Sequence, residues 1–325
     1  MPITATRRAA LALPLLAAAR PALAQDTDWP RRPIRVLVPY APGGSTDSSM
    51  RAVADRLAAW LGQPVVVENR SGGSGTIAAG AVAAAPPDGT TFLIEGIPSV
   101  VNPFVLRSLP FDYRTALVPV TQVVSVPVAL AVKSALPVRT VAEFVALARE
   151  QPGKLSCGHS GNGTGAHLAG VLFQQRTGIS LMTLPYRGGA DAARDLASGA
   201  LDCVTTAPLS VAPLAEGGRV RLLAVNSARR SPVLPDVPTL EESGVRDANL
   251  EEFLGLFAPR GTPQPIIDKL RAGVAAVLAE PEVRQRILQL GALPVGSTSA
   301  EFAALVERTR SEVEWLVRPA GLEVN

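Results

Sequence analysis

The chain has 325 residues, with 31 Lys and Arg against 28 Asp and Glu, two histidines and two cysteines. So small a charge surplus supplies no basic stripe for nucleic acid, and His159 and His167 have no surrounding cluster with metal-ligand spacing. The length allows two lobes with separate cores.

Arg7-Arg8 makes a short basic start, Ala9 to Ala19 is apolar apart from Pro14, and Ala22-Leu23-Ala24 is a small-x-small site before Gln25. This is the pattern of a secretory signal over residues 1–24, too short to span a bilayer. Thr6-Arg7-Arg8 leaves both general secretory and twin-arginine export open. The signal holds Arg7, Arg8 and Arg20 and no acid, so its removal leaves basic and acidic side chains equal in number. No later stretch is long and apolar enough to cross a membrane, so a soluble exported protein beginning near Gln25 is expected.

An apolar strand, Ile34–Pro39, then stops at Ala41-Pro42-Gly43-Gly44-Ser45-Thr46-Asp47. A helix follows with Met50, Val53, Leu57 and Leu61 on one face. Strands are expected at Val65–Glu68 and Thr91–Glu95. Between them Gly73-Ser74-Gly75-Thr76-Ile77-Ala78 matches G-x-G-x-x-A, with Glu95 at the next strand's end. However, Asn69–Gly72 separates these glycines from their strand, whereas a dinucleotide fingerprint needs them in the tight turn. No P-loop occurs, and no cofactor is expected.

Val118 to Val132 is a β-rich run too long for one strand of a small sheet. Then Lys154–His159 stops at Ser160-Gly161-Asn162-Gly163-Thr164 before another helix, repeating the strand, glycine loop and helix of the first lobe. Asn162 suits a left-handed position and Thr164 a cap. Further strands are expected at Met182–Pro185, Cys203–Thr205 and Arg221–Val225. Cys157 and Cys203 fall on neighbouring strands, either as a disulfide or as two buried thiols. Leu250 to Pro259 is a second long extended stretch. Ile266, Leu270, Val274, Val277 and Leu278, then Phe302, Leu305, Thr309, Val313 and Leu316, mark two closing helices.

Strands alternating with helices define an α/β chain with mainly parallel sheets. The two long runs read as crossovers, dividing the chain into residues 25–124 with 252–325 as lobe 1 and residues 125–251 as lobe 2. Unpaired N–H groups at a helix start make a neutral socket for an anion. Two such loops in separate lobes therefore suggest a clamp on a small anion. Hydrolase signatures fail: Gly72-Gly73-Ser74-Gly75-Thr76 is one residue short of G-x-S-x-G. His159, adjacent to Ser160 on a strand, points to the opposite face. Asp47 suits the helix dipole, and His167 suits packing or ligand orientation.

Several ordered motifs resemble one family. They include Trp29-Pro30-x-x-Pro33-Ile34-Arg35, Val38-Pro39-Tyr40-x-Pro42-Gly43-Gly44-Ser45-Thr46-Asp47 and Leu61-Gly62-Gln63-Pro64-Val65-Val66-Val67-Glu68-Asn69-Arg70. Others are Gly161-Asn162-Gly163-Thr164-x-x-His167-Leu168-Ala169-Gly170, Pro185-Tyr186-Arg187-Gly188 and Gly255-Leu256-Phe257-Ala258-Pro259. The chain resembles the Bug (TctC-like) receptors of tripartite tricarboxylate transporters over nearly its whole mature length. The resemblance implies a periplasmic, two-lobed binding-protein (Venus flytrap) fold that closes on a small carboxylate and delivers it to a pair of membrane permease subunits. It implies a binding protein without enzymatic activity, working as a soluble monomer. The candidate ligand-binding residues are Tyr40, Gly43, Gly44, Ser45, Thr46, Asp47 and Ser99 in lobe 1. In lobe 2 they are Ser160, Gly161, Asn162, Gly163, Thr164, His167, Thr206 and Ala207.

The chain departs from the resemblance at Thr206-Ala207, where many relatives carry Asp-Asn, and at Glu95 and His159, where small polar or apolar residues are usual. With Thr206 in place of an acid, a plain organic acid is expected over an amino acid, and Glu95 is the residue that could reverse this. Two other readings stay open: the same binding event read by a membrane sensor, and an exported hydrolase or oxidoreductase.

Overall fold

The computed structural model describes residues 28–40, 42–106, 108–250 and 252–320. The signal segment and the cleavage site before Gln25 lie outside them. In chain order the first part comprises β1 (Ile34–Val38), α1 (Ser45–Leu61), β2 (Val65–Asn69), α2 (Thr76–Ala83), β3 (Thr91–Glu95), α3 (Pro98–Val105), α4 (Tyr113–Ala116) and β4 (Leu117–Val126). Next come β5 (Val128–Lys133), α5 (Val141–Glu150), β6 (Ser156–His159), α6 (Gly165–Thr177), β7 (Met182–Pro185), α7 (Gly189–Ser198), β8 (Cys203–Thr206), α8 (Pro208–Glu216) and β9 (Val220–Asn226). The chain closes with β10 (Glu252–Pro259), α9 (Gln264–Ala279), α10 (Pro281–Gln289), β11 (Leu293–Pro294) and α11 (Ser299–Ala320).

Among the described residues these strands make two sheets, in the orders β11-β4-β10-β3-β1-β2 and β7-β6-β8-β5-β9. In the first sheet β1 pairs in parallel with β2 and β3, and β10 runs antiparallel to both β3 and β4. In the second, β6 pairs in parallel with β7 and β8, and β5 opposes β8 and β9. The expected parallel direction thus holds for β1–β4 and for β6–β9. The opposing strands are β10 and β11 in one sheet and β5 in the other.

The run Val118–Val132 is two strands, one in each sheet, broken at Pro127. Proline lacks the N–H that would continue a ladder, so one residue ends β4 and lets β5 start in the other sheet. The return differs from a shared strand: β10 lies wholly in the first sheet, and residues 227–249 cover the distance outside any strand. Both passages leave from one edge. The carboxyl ends of β1, β3 and β4 and the start of β10 lie together there, facing the carboxyl ends of β6, β8 and β9.

Each sheet is covered on both faces by apolar side chains. Met50, Val53 and Leu57 of α1 meet Leu270 and Val274 of α9 on one side of the first sheet. Phe302, Val313 and Leu316 of α11 meet Val100 and Val101 of α3 on the other, together with Leu168 and Leu172 of α6. Phe144 and Phe173 fill one face of the second sheet, and Ala192, Leu196 and Val211 the other. The helical stripes read from the sequence are therefore core. Cys157 and Cys203 are register partners on β6 and β8, both buried and both free thiols.

Candidate functional site

The first loop is built by a carboxylate. Gly43 takes φ +83, a conformation that glycine reaches without strain, and Gly44 is the N-cap of α1. No side chain caps that terminus, and Ser45 and Thr46 are helical residues rather than caps. Asp47, buried in the first turn, accepts from Gly43 N–H at 2.8 Å, Arg51 Nε at 2.9 Å and Asn69 Nδ2 at 2.9 Å. Asn69 Nδ2 also donates to the Tyr40 carbonyl at 3.0 Å. Burial alone would raise the Asp47 pKa, but the bonds from Arg51, Gly43 and Asn69 outweigh it and hold the carboxyl below its usual range. Arg51 and Asn69 thus hold the first loop, a role that sequence reasoning missed. Arg51 is one helical turn beyond Asp47, and Asn69 ends β2 beside the loop.

The second loop is built by histidines. Gly161 at φ +128 and Gly163 at φ +73 take the left-handed positions, and Asn162 does not. A glycine on each side already makes the turn. Thr164 caps α6, its Oγ1 accepting from His167 N–H at 3.3 Å. His167 Nδ1 accepts from Gly163 N–H at 3.2 Å, which places the ring proton of neutral His167 on Nε2. The His159 and His167 rings stack 4.3 Å apart. Burial lowers both pKa values, that of His167 to about 4 with help from His159. Ser160 Oγ meets Thr164 Oγ1 at 3.5 Å and bonds to neither histidine, so the geometry holds no Ser–His pair.

The second anion socket is already engaged from the first lobe. Glu252, the first residue of β10, sets its carboxylate against Gly165 at the start of α6. A Cβ on Gly165 would come within 2.6 Å of the Glu252 Cδ, so only glycine admits this approach. Burial raises the Glu252 pKa to about 7, with the nearby Gly165 N–H opposing it. Glu252 also escapes a sequence reading; the only signal is an acid at the head of an extended run.

Tyr40 follows β1 at the junction, its hydroxyl pKa raised by burial and then by the charges of Glu95, Tyr113 and Glu252. Ser99 is buried in α3, its hydroxyl donating to Gly96 O at 2.7 Å. Thr206 ends β8 fully buried with Oγ1 unpartnered, against Gly189 at the uncapped start of α7. Ala207 packs on the first lobe's core, and Leu209 lies against Gly291. The lobes therefore touch at α6 and at α8.

An interlobe cavity of about 210 Å³ is lined by Val101, Val105 and Val317 of the first lobe and by His159, Asn162, Gly163, His167 and Leu168 of the second. The structure brings Asn162, Gly163 and His167 together there, whereas the Gly43–Asp47 loop does not line it. A larger hollow of about 490 Å³, lined by residues such as Ile77, Gly80 and Phe111, belongs to the first lobe alone. Among the described residues no group of three His, Cys, Asp or Glu side chains could hold a metal ion, and no helix is long and apolar enough to cross a membrane.

Two α/β lobes joined by two passages define the two-lobed fold of periplasmic binding proteins. The chain belongs to the tripartite tricarboxylate transporter receptor family, which it matches over residues 49–322. It is 35% identical over 298 residues to a protein of the tcbD-tcbE intergenic region of Pseudomonas sp. strain P51, covering 91% of this chain and 89% of that one. It is 33% identical to BugT of Bordetella pertussis, covering 91% of each. Among solved structures it is similar to R. palustris Rpa4515 with adipate (37% identity, TM-score 0.79, covering 90% of this chain and 99% of that one). It is also similar to MatC of Rhodopseudomonas palustris with bound malate (32% identity, TM-score 0.75, covering 89% and 100%).

Proposed function

We propose that this chain is a periplasmic receptor that captures a small organic carboxylate between its lobes and hands it to a membrane permease pair. The observation that carries this reading is the interlobe cavity of about 210 Å³, where Asn162, Gly163 and His167 of one lobe face Val101 and Val105 of the other. The start of α1 has no side-chain cap, and the start of α6 already has the Glu252 carboxylate set against Gly165. Solved relatives hold adipate and malate. The lobes are residues 25–124 with 252–325, and residues 125–251, except that Ser125 and Val126 complete β4 and so go with the first lobe. The ligand contacts are Tyr40, Gly43–Asp47 and Ser99 on one side, and Ser160–Thr164, His167, Thr206 and Ala207 on the other. Asp47 and His167 act by shaping their loops. The protein works as a soluble monomer, exported by the segment before Gln25.

Thermal shift of the mature protein against adipate, malate and other carboxylates tests the reading. A ligand that binds only the folded state adds about 2.7 kcal/mol at 100 times its Kd. A melting temperature that no carboxylate raises would reject the proposal.

A further inference from the structure

Glu95 closes β3 at the edge where the lobes meet, and it is 0% exposed. Both of its carboxylate oxygens are buried without a hydrogen-bond partner. Buried polar atoms nearly always have a partner, so two orphans on one carboxylate point to a group from outside the chain. The neighbours supply none. A Cβ on Gly75 would come to 2.4 Å from Oε1, so no side chain fits there. Tyr113 sits within electrostatic reach and its hydroxyl accepts from Asn102 Nδ2 at 3.1 Å, but it makes no bond to either Glu95 oxygen. Tyr40 feels the charges of both Glu95 and Glu252. No described lysine or arginine pairs with Glu95 or Glu252.

The donors of the junction, meanwhile, are largely engaged. Gly43 N–H goes to Asp47 and Gly163 N–H to His167, and the Glu252 carboxylate lies against Gly165. Arg51, the cation of the first loop, is bound to Asp47 and Asn69, and none of the described lysines or arginines reaches Glu95. We propose that Glu95 receives a positively charged nitrogen, so that the ligand is a carboxylate that also bears an ammonium group. This inference rests on the receptor reading above. An ammonium brings N–H donors and the charge that a desolvated carboxylate lacks, whereas a plain dianion would add negative charge beside Glu95 and Glu252. The weighting drawn from the sequence is reversed because burial without a partner is a property of the folded edge.

The test is calorimetric titration with matched pairs: aspartate against succinate, glutamate against glutarate, and β-alanine against propionate. The amino member of at least one pair should bind tenfold tighter or better. Glu95→Gln should erase that preference while leaving the plain acid within about threefold of the parent. A urea transition of the variant establishes that it folds, and Glu95→Asp, which keeps the charge at shorter reach, should retain part of the preference. Tighter binding of the plain acid in every pair, or a preference that survives Glu95→Gln, overturns the cation site and leaves the receptor reading intact. If none of the six ligands binds, and neither adipate nor malate does, the receptor reading falls and this inference falls with it.

Discussion

Asp47→Ala tests whether one carboxylate holds the first loop in shape. Asp47 is 2% exposed and takes three donors, from Gly43, Arg51 and Asn69. A hydrogen bond to a charged group is worth about 1.5–3 kcal/mol when buried. Arg51 is 47% exposed, so water screens its share to below about 1 kcal/mol. Asn69 Nδ2 keeps the Tyr40 carbonyl, whereas Gly43 N–H loses its acceptor. The sum is a loss of about 3 kcal/mol at neutral pH, lower in Asp47→Asn, which keeps one acceptor. Because the folded pKa lies below the unfolded one, this stabilisation is complete above about pH 4 and fades as the pH falls through the folded value. Urea transitions of parent and variant should therefore stand about 3 kcal/mol apart at pH 7 and converge on acidification. A gap below about 1 kcal/mol at pH 7, or one unchanged at pH 3, would refute the reasoning.

Other expectations follow from single contacts. With its pKa raised from 4.5 to about 7, Glu252 penalises the fold progressively as pH climbs through that window. Glu252→Gln should accordingly gain on the parent between those values and not below them, as read by urea midpoints across a pH series. Gly189→Ala would force a methyl onto Thr206 Oγ1 and to 2.7 Å from Ser210 Oγ. It should cost about 1–3 kcal/mol, most of it restored in the double variant with Thr206→Ala. Burial raises the Cys203 thiol pKa, so neither cysteine should react with a thiol reagent in the folded protein. Both should react once unfolded without reductant, and zero reactive thiols would mean a disulfide.

Much of the fold was legible because it rests on periodicity. The stripe Met50, Val53, Leu57 and Leu61 is buried as its spacing requires, and the positions of Cys157 and Cys203 within their strands anticipated their register. The glycine loops were legible as loops, since strand, glycines and helix are a local pattern. Their hydrogen bonding was less so. Asn162 looked like the left-handed residue, but Gly161 and Gly163 take that geometry at lower cost. Asn69 reaches Asp47 from 22 positions away, and Glu252 reaches Gly165 from the other lobe. Such contacts are set by which strand ends share an edge, and nothing in local spacing encodes them. The unpartnered state of Glu95 depends in the same way on what four separate elements bring around it.

Pro127 gives the molecule its tether. One residue links β4 to β5, whereas the return from residue 227 onward is long enough to follow whatever the first link permits. Two modest half-sites joined by so short a strap see each other at an effective concentration of about millimolar or above. Neither loop then has to grip its ligand strongly alone. A solute held by one half meets the second almost without further search, and affinity becomes a product of two weak grips. Proline fixes one of the strap's torsions, which narrows the arc over which the halves can meet. Selectivity can then reside in the angle at which the second half arrives, so that a ligand of the wrong length is rejected by geometry even where each of its ends is welcome.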